Sequence, residues 1–320
     1  MRDFGPPQSF ALEDYHPGSP GPGEVLISVH AAGVSFVDVL LATGEYQVRP
    51  PLPFIPGSEF SGTIKAAGCN VDPLRVGERV FATAPGAAFA NLAVVPAERV
   101  WTIPDSMTLL EAAIFKVSYS TAYYALVQRA ALQSGESLLV LGAGGAIGYA
   151  SVEIGKALGA HVIASASTDR KRALAKLAGA DALIDSHSRH WRDDIKIANY
   201  GKAIDVVIDP VGGMATEPAF RSLAWGGRHL VVGFAEGTIS KLPVNLALLK
   251  GASLVGVDIR QFGMNEPEAA AAHVGALFDL YHAGKIHPPV GATYPLARFA
   301  DAMSAVRNNS TVGRSILVMD

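Results

Sequence analysis

The sequence predicts an α/β protein in two parts, a mainly β domain followed by a doubly wound parallel sheet with helices on both faces. Three observations predict it. Between Phe10 and about Val100, short apolar runs are separated by Gly and Pro breakers, which fits a compact β domain. From Leu138 onward, apolar runs of strand length alternate with helical text, as in a parallel sheet. Where the second pattern begins stands LLVLGAGGAIG, Leu138–Gly148, in which an apolar run meets a glycine cluster and leads into the helical text of Tyr149–Leu158.

In chain order, the turn-rich Gly18–Gly23 opens onto Glu24–Ala31, where Val25, Ile27 and Val29 alternate with mostly polar partners as in a half-buried strand. Gly62–Ala67, Arg79–Thr83 and Leu92–Val95 are further strands between breakers. Helical text starts at Glu111–Phe115 and resumes at Ser120–Ala131. Strands follow at Ala160–Ala166, Asp205–Ile208 and His229–Gly233, with helices at Ala173–Ala178 and Ala215–Leu223 between them. A long helix, Glu266–Ala283, and a strand, Gly313–Met319, close the chain.

The chemistry served by a glycine turn between strand and helix is anion binding. Glycines let the backbone approach a pyrophosphate, and the free N–H groups of the next helix point at it. Gly145 and Gly148 fit the second and third glycines of G-x-G-x-x-G, with Ala143 in place of the first. A flexible loop packed under a helix is the bland alternative, but the strand at Ala160–Ala166 completes a βαβ unit of the expected length. At the end of that strand an acid would hold a ribose hydroxyl. This chain has Ser165, Ala166, Ser167 and Thr168 there, followed by Arg170, Lys171 and Arg172, a set that suits a 2'-phosphate. The same residues also read as a solvated helix start capped by Asp169.

With 320 residues, 49% apolar and 17% charged, the chain is globular and long enough for two cores. A net charge of -3 supplies no basic field for nucleic acid. Cys69 is the only cysteine, so no intrachain disulfide or thiolate zinc cage forms, which is compatible with a reducing cytosol and does not exclude secretion. The uncharged stretches Val80–Ala97 and Ser137–Val152 are too broken or too short for a membrane helix, and MRDFGPPQSF has no apolar signal core.

Two further patterns read as decoys. His187 and His190 lie among Asp185, Asp193 and Asp194 in one polar segment, which fits a surface loop better than a metal site. Tyr281 and Lys285 have Y-x-x-x-K spacing, but Gly284 ends the helix before the lysine.

The strings AAGVSFVDVL (31–40), GEYQVRPPLPFIPGSEFSG (44–62), TAYYAL (121–126), LVLGAGGAIG (139–148), DPVGG (209–213) and SLAWGGR (222–228) together resemble zinc-free medium-chain dehydrogenase/reductases. More narrowly, they are similar to the NADPH:quinone oxidoreductase, or zeta-crystallin, group, over nearly the whole chain from about Pro20. The resemblance implies a GroES-like catalytic domain from 1–116 and 257–320 and a Rossmann domain over 117–256. It implies NADPH as cofactor, cytoplasmic location and a homodimer. Cofactor positions are then Thr121, Gly142, Ala143, Gly145, Ala146, Ile147, Gly148, Ser167, Lys171, Asp209, Gly233 and Phe234, with Asn245 and Arg314. Zinc-dependent cousins have a His where this chain has Ser58 in Gly57-Ser58-Glu59, so no catalytic metal is expected; Glu59 is expected to be structural.

The chain departs from the family at three places. Ser35 replaces an Asn near nicotinamide and substrate, Ser186 replaces a Tyr near the adenosine phosphate, and the strand usual before Phe4 is missing. The expected reaction is metal-free hydride transfer from NADPH to a quinone or enone, a small apolar electrophile. Tyr46 and Ser35 are the candidates for orienting its oxygen, among Phe36, Leu40, Phe54 and Phe262. The alternatives are an enoyl-thioester or alkenal reductase, or a weakly catalytic NADPH-binding protein with a structural or RNA-binding role.

Overall fold

In a computed structural model, which describes residues 1–319, the elements run in chain order as follows. The first stretch holds β1 (Glu24–Val34), α1 (Phe36–Thr43), β2 (Glu59–Ala67), β3 (Arg79–Thr83), β4 (Leu92–Pro96), β5 (Val100–Thr102), α2 (Leu109–Ala112) and α3 (Lys116–Tyr123), which runs into a π-helical segment, Tyr124–Arg129. Then come β6 (Ser137–Val140), α4 (Ala146–Ala157), β7 (His161–Ala166), α5 (Asp169–Leu177), β8 (Ala182–Asp185), α6 (Trp191–Ala198), β9 (Ile204–Asp209), α7 (Thr216–Arg221) and β10 (Leu223–Val231). The last stretch is α8 (Asn245–Lys250), β11 (Ser253–Gly256), α9 (Ile259–Asn265), α10 (Pro267–His282), β12 (Val290–Pro295), α11 (Phe299–Arg307) and β13 (Arg314–Val318). These form two compact units, one from Met1–Val117 with the segment from Pro288 onward, the other Ser118–His287.

The first unit is a seven-stranded sheet in the order β12-β13-β1-β2-β3-β5, with β4 also paired to β1. β1 is its central strand because Val25, Ile27 and Val29 turn one face inward, and it pairs antiparallel with β2, β4 and β13. Val39 and Ala42 of α1 and Ala302 and Met303 of α11 join the same core. Phe81 stacks on Trp101 at 5.2 Å and meets Phe115 edge-on. The helix α1 interrupts a stretch whose Gly and Pro breakers read as β throughout. It is anchored locally by a capping box at Ser35 and by Gly44 at φ +73, which ends it.

The second unit is a six-stranded, all-parallel sheet in the order β11-β10-β9-β6-β7-β8. Counting from β6, this is the 3-2-1-4-5-6 order of a dinucleotide-binding fold. Leu138, Leu139 and Val140 are all buried, as helices on both faces require of a central parallel strand. The second crossing between units falls at His287–Pro288, beyond the expected 256–257, because α9 and α10 pack within this unit. Phe262 stacks on Tyr124 at 4.2 Å, and His273 meets Tyr123 at 4.8 Å.

Two smaller expectations also change. Thr168, not Asp169, caps α5, its hydroxyl accepting the Lys171 N–H. The polar run after His190 is helix α6, with exposed His187 in the loop before it. As expected, α10 ends before Gly284, which sits at φ +63.

Candidate cofactor and substrate residues

Strands β6 and β9 are neighbours at the point where the strand order reverses, and the segments leaving their carboxyl ends carry the glycine turn and DPVGG. The turn is tied down by its backbone: Leu141 N–H donates to Ile208 O, Ala143 N–H to Ser165 O and Gly145 N–H to Gly142 O, at 2.9 to 3.1 Å. Gly142, at φ +60, takes the left-handed conformation, so the position before Ala143 carries the conformational demand and Ala143 is tolerated, fully buried. A Cβ on Gly148 would stand 2.2 Å from Gly142 O; only glycine lets α4 approach the turn this closely. Gly145 caps α4 without a side-chain bond, leaving the Ala146, Ile147 and Gly148 N–H groups of the first turn for an anion. These residues fit a pyrophosphate.

Lys171 packs against the same turn, since a Cβ on Gly144 would meet Lys171 Cβ at 2.5 Å. It is 7% exposed, and burial lowers its pKa. Ser167 is half-buried beside it, and Ala166, where an acid would select NADH, is buried. Arg172 is committed to structure, donating to Ala166 O and Asp169 and pairing with Asp185.

Asp209 is a buried hub. Its Oδ1 accepts the N–H groups of Val211 (2.9 Å) and Gly212 (2.7 Å), and its Oδ2 accepts the Thr216 hydroxyl (2.7 Å) and lies 3.1 Å from His229 Nε2. Burial raises its pKa, but the bonds from His229, Gly212 and Thr216 outweigh this and hold it below the usual range. The Asp209 carbonyl accepts Val232 and Gly233 N–H, so one residue fixes both DPVGG and the Gly233–Phe234 segment. Thr121 is buried on α3, and Asn245 is exposed at the start of α8. Phe262 is core, enclosed by Tyr124 and His273.

In the first unit Ser35, Asp38 and Ser58 form one cluster. Asp38 is 1% exposed; its Oδ2 accepts the Ser35 hydroxyl (2.6 Å) and N–H (2.8 Å), and its Oδ1 accepts the Ser58 hydroxyl (3.0 Å). Burial raises the Asp38 pKa against these bonds and the nearby Arg314. Ser35 is thus also the cap of α1, and both serines are half-buried. Glu59, next in sequence to Ser58, is buried at the start of β2. It accepts Val117 N–H (2.8 Å) and the Arg314 guanidinium (3.4 Å). Burial pushes its carboxyl up to about 7, although Arg314 and the Val117 bond oppose the shift. Arg314, named above as a cofactor position, is 7% exposed and spends Nη2 on this pair. Tyr46 is half-buried just after α1, its backbone N–H bonded to Leu40 O.

Among the described residues no three His, Cys, Asp or Glu side chains are grouped to hold a metal ion, and Ser58 spends its hydroxyl on Asp38. The donor set does not fit zinc. Two residues of these hydrogen-bonded clusters escaped the sequence reading. Asp38 was visible as the fourth residue of a capping box, Ser35-Phe-Val-Asp38; nothing in the sequence marks His229 as the partner of Asp209.

Residues 21–105 match the family model of the alcohol dehydrogenase GroES-like domain, and 146–274 that of the zinc-binding dehydrogenase. The chain is 35% identical over 311 residues to mouse quinone oxidoreductase-like protein 2, covering 97% of this chain and 89% of that one. It is 31% identical over 320 residues to human quinone oxidoreductase, covering 99% and 96%. A mycobacterial structure complexed with NADPH superposes with a TM-score of 0.90 at 29% identity, covering 99% and 97%. The chain is an oxidoreductase and belongs to the NADPH:quinone oxidoreductase-type family of the medium-chain dehydrogenase/reductases.

Proposed function

We propose that this chain is an NADPH-dependent reductase of quinones or similarly activated carbonyl compounds and works without a metal. The observation that carries the cofactor half is Lys171 seated against the glycine turn, with Ala166 in the acid's place. The residues that hold NADPH are Gly142–Gly148 at the pyrophosphate and Ser167 with Lys171 at the 2'-phosphate. Asp209 shapes the loop beside them, with Gly233, Phe234, Thr121, Asn245 and Arg314 as further contacts. When bound, NADPH supplies a hydride. The protein's own task is then to orient an apolar acceptor and deliver a proton to its oxygen, with Tyr46 and Ser35 as orienting groups.

The quinone half is supported by the human and mouse relatives, both named for quinone oxidoreduction. The test is a panel of quinones and conjugated enals or enoyl thioesters, assayed by oxidation of NADPH and NADH. Turnover of quinones with NADPH ahead of NADH is expected; turnover of enals or thioesters alone would overturn the quinone assignment. Tight NADPH binding without turnover of any acceptor would make the chain a binding protein.

The chain is further proposed to act in the cytoplasm as a homodimer. Among the described residues no helix is long and apolar enough to cross a membrane. The dimer assignment draws on β11, an edge strand with exposed Leu254, flanked in sequence by exposed Leu248 and Leu249.

A further inference from the structure

We propose that Asp38 and Ser58 form a proton relay, in which the Ser58 hydroxyl gives its proton to the acceptor oxygen and is reprotonated by the buried carboxylic acid of Asp38. The proposal rests on the reductase reading above and names the group that completes its chemistry. Reduction of a quinone by hydride leaves one oxygen in need of a proton.

The geometry is that of an acid behind a hydroxyl. Asp38 is almost wholly buried, whereas Ser58 is half-buried and so reaches the surface of the unit. The link between them is the 3.0 Å bond from Ser58 Oγ to Asp38 Oδ1. Among the described residues no other bond from the Ser58 hydroxyl competes with it; the Ser58 carbonyl accepts Ala84 N–H. The two Asp38 oxygens have separate duties. Oδ2 is occupied by the Ser35 N–H and hydroxyl, which fix the carboxyl plane, so a proton on Asp38 resides on Oδ1. In that state Oδ1–H donates to Ser58 Oγ, and the serine hydroxyl hydrogen turns outward to the acceptor. Protonation of Asp38 therefore sets the direction in which Ser58 donates.

The surroundings favour the protonated form of Asp38 more than those of an exposed carboxyl do. Burial is the dominant influence on Asp38, with the Arg314 cation of β13 acting the other way. Arg314 is shared with Glu59 of β2, a second buried carboxyl, and Lys116 also faces Glu59. Two buried acids thus draw on one close guanidinium. The step balances: the hydride carries two electrons to the acceptor, and the acceptor oxygen takes the Ser58 proton. The Asp38 proton moves to Ser58 Oγ, and the resulting carboxylate regains a proton from water. Ser58 is the catalytic residue of the pair, and Asp38 acts through it.

The test uses Asp38→Asn and Ser58→Ala. Asn keeps an oxygen for the Ser35 donors and an amide for Ser58, so the cap of α1 survives while the exchangeable acid is lost. The expected result is an unchanged melting temperature and NADPH affinity, a kcat lower by roughly 100-fold, and loss of the alkaline fall in the kcat profile and of the solvent deuterium effect. Ser58→Ala should lower kcat similarly with KM little changed. An infrared titration of the ligand-free protein, parent minus Asp38→Asn, should show a carboxylic acid C=O band at neutral pH. A carboxylate signal there, or turnover by Asp38→Asn with the parental pH profile and isotope effect, would overturn the relay. Absence of turnover with every acceptor in the parent would instead overturn the reductase reading, and leave the infrared measurement to decide the state of Asp38.

Discussion

Replacing Lys171 with Met tests the cofactor assignment most directly. The methionine keeps an unbranched stem against Gly144 and removes the ammonium, so packing in this 7%-exposed position is nearly preserved. On the proposed assignment the loss includes one charge-assisted bond to the 2'-phosphate, a contribution of about 1.5–3 kcal/mol. At a factor of ten for each 1.4 kcal/mol, NADPH binding weakens roughly 10- to 100-fold. NADH has no 2'-phosphate, and its affinity should stay within about twofold, since no contact to it is removed. Fluorescence titration of both cofactors against parent and variant reads the two numbers separately. Equal affinities for NADPH and NADH in the parent would refute the reasoning, as would a variant that loses both alike; the latter would make Lys171 a packing residue.

Gly148→Ala places a methyl 2.2 Å from Gly142 O, which should cost about 1–3 kcal/mol of stability and abolish binding of either cofactor; an unchanged titration would contradict the close-approach reading. Burial lifts Glu153 of α4 from 4.5 to about 7, against bonds from Tyr119, the His287 N–H and Tyr149. The folded chain therefore holds a proton that the unfolded chain has released, so stability falls by about 3 kcal/mol as pH rises from 4.5 to 7 and levels off above. Glu59 adds a fall over the same interval. Melting temperatures across this range should show the decline, and Glu153→Gln should flatten it; a variant with the parental slope would assign the dependence elsewhere. On the proposed dimer, Leu254→Lys on β11 should give a monomer in light scattering without lowering the monomer's stability, because Leu254 is 52% exposed; a monomeric parent would refute the dimer and a dimeric variant would place the interface on another face.

The parallel sheet was legible because its information is local: a buried run, a glycine turn and a following helix lie within twenty residues, and each has its own periodicity. The first unit was less so. Helix α1 was hidden among Gly and Pro breakers, although its capping box stood in the sequence at Ser35 and Asp38. What the residues could not reveal was which distant partners meet. Asp38 reaches Ser58 twenty positions on, and Glu59 reaches Arg314 at the far end of the chain. Glu59 as a structural residue follows from its neighbours; its shift to about 7 follows only from burial and shared charge, which are tertiary facts. The same holds for His229, one position in a strand between Arg228 and Leu230, which becomes a hydrogen-bond partner only when β9 and β10 lie side by side.

The contact between Gly144 and Lys171 has a consequence for how this protein can change. A side chain at position 144 would strike the stem of residue 171, so the two sites cannot vary independently. The nearest atom is the Cβ of residue 171, which every residue but glycine carries, so shortening residue 171 opens no room at position 144, whereas enlarging position 144 pushes the segment that carries the cation away from the turn. A route toward NADH preference therefore runs through the end of side chain 171 with position 144 held as glycine, and an evolving or engineered lineage that enlarges position 144 meets a folding defect before it meets a new specificity.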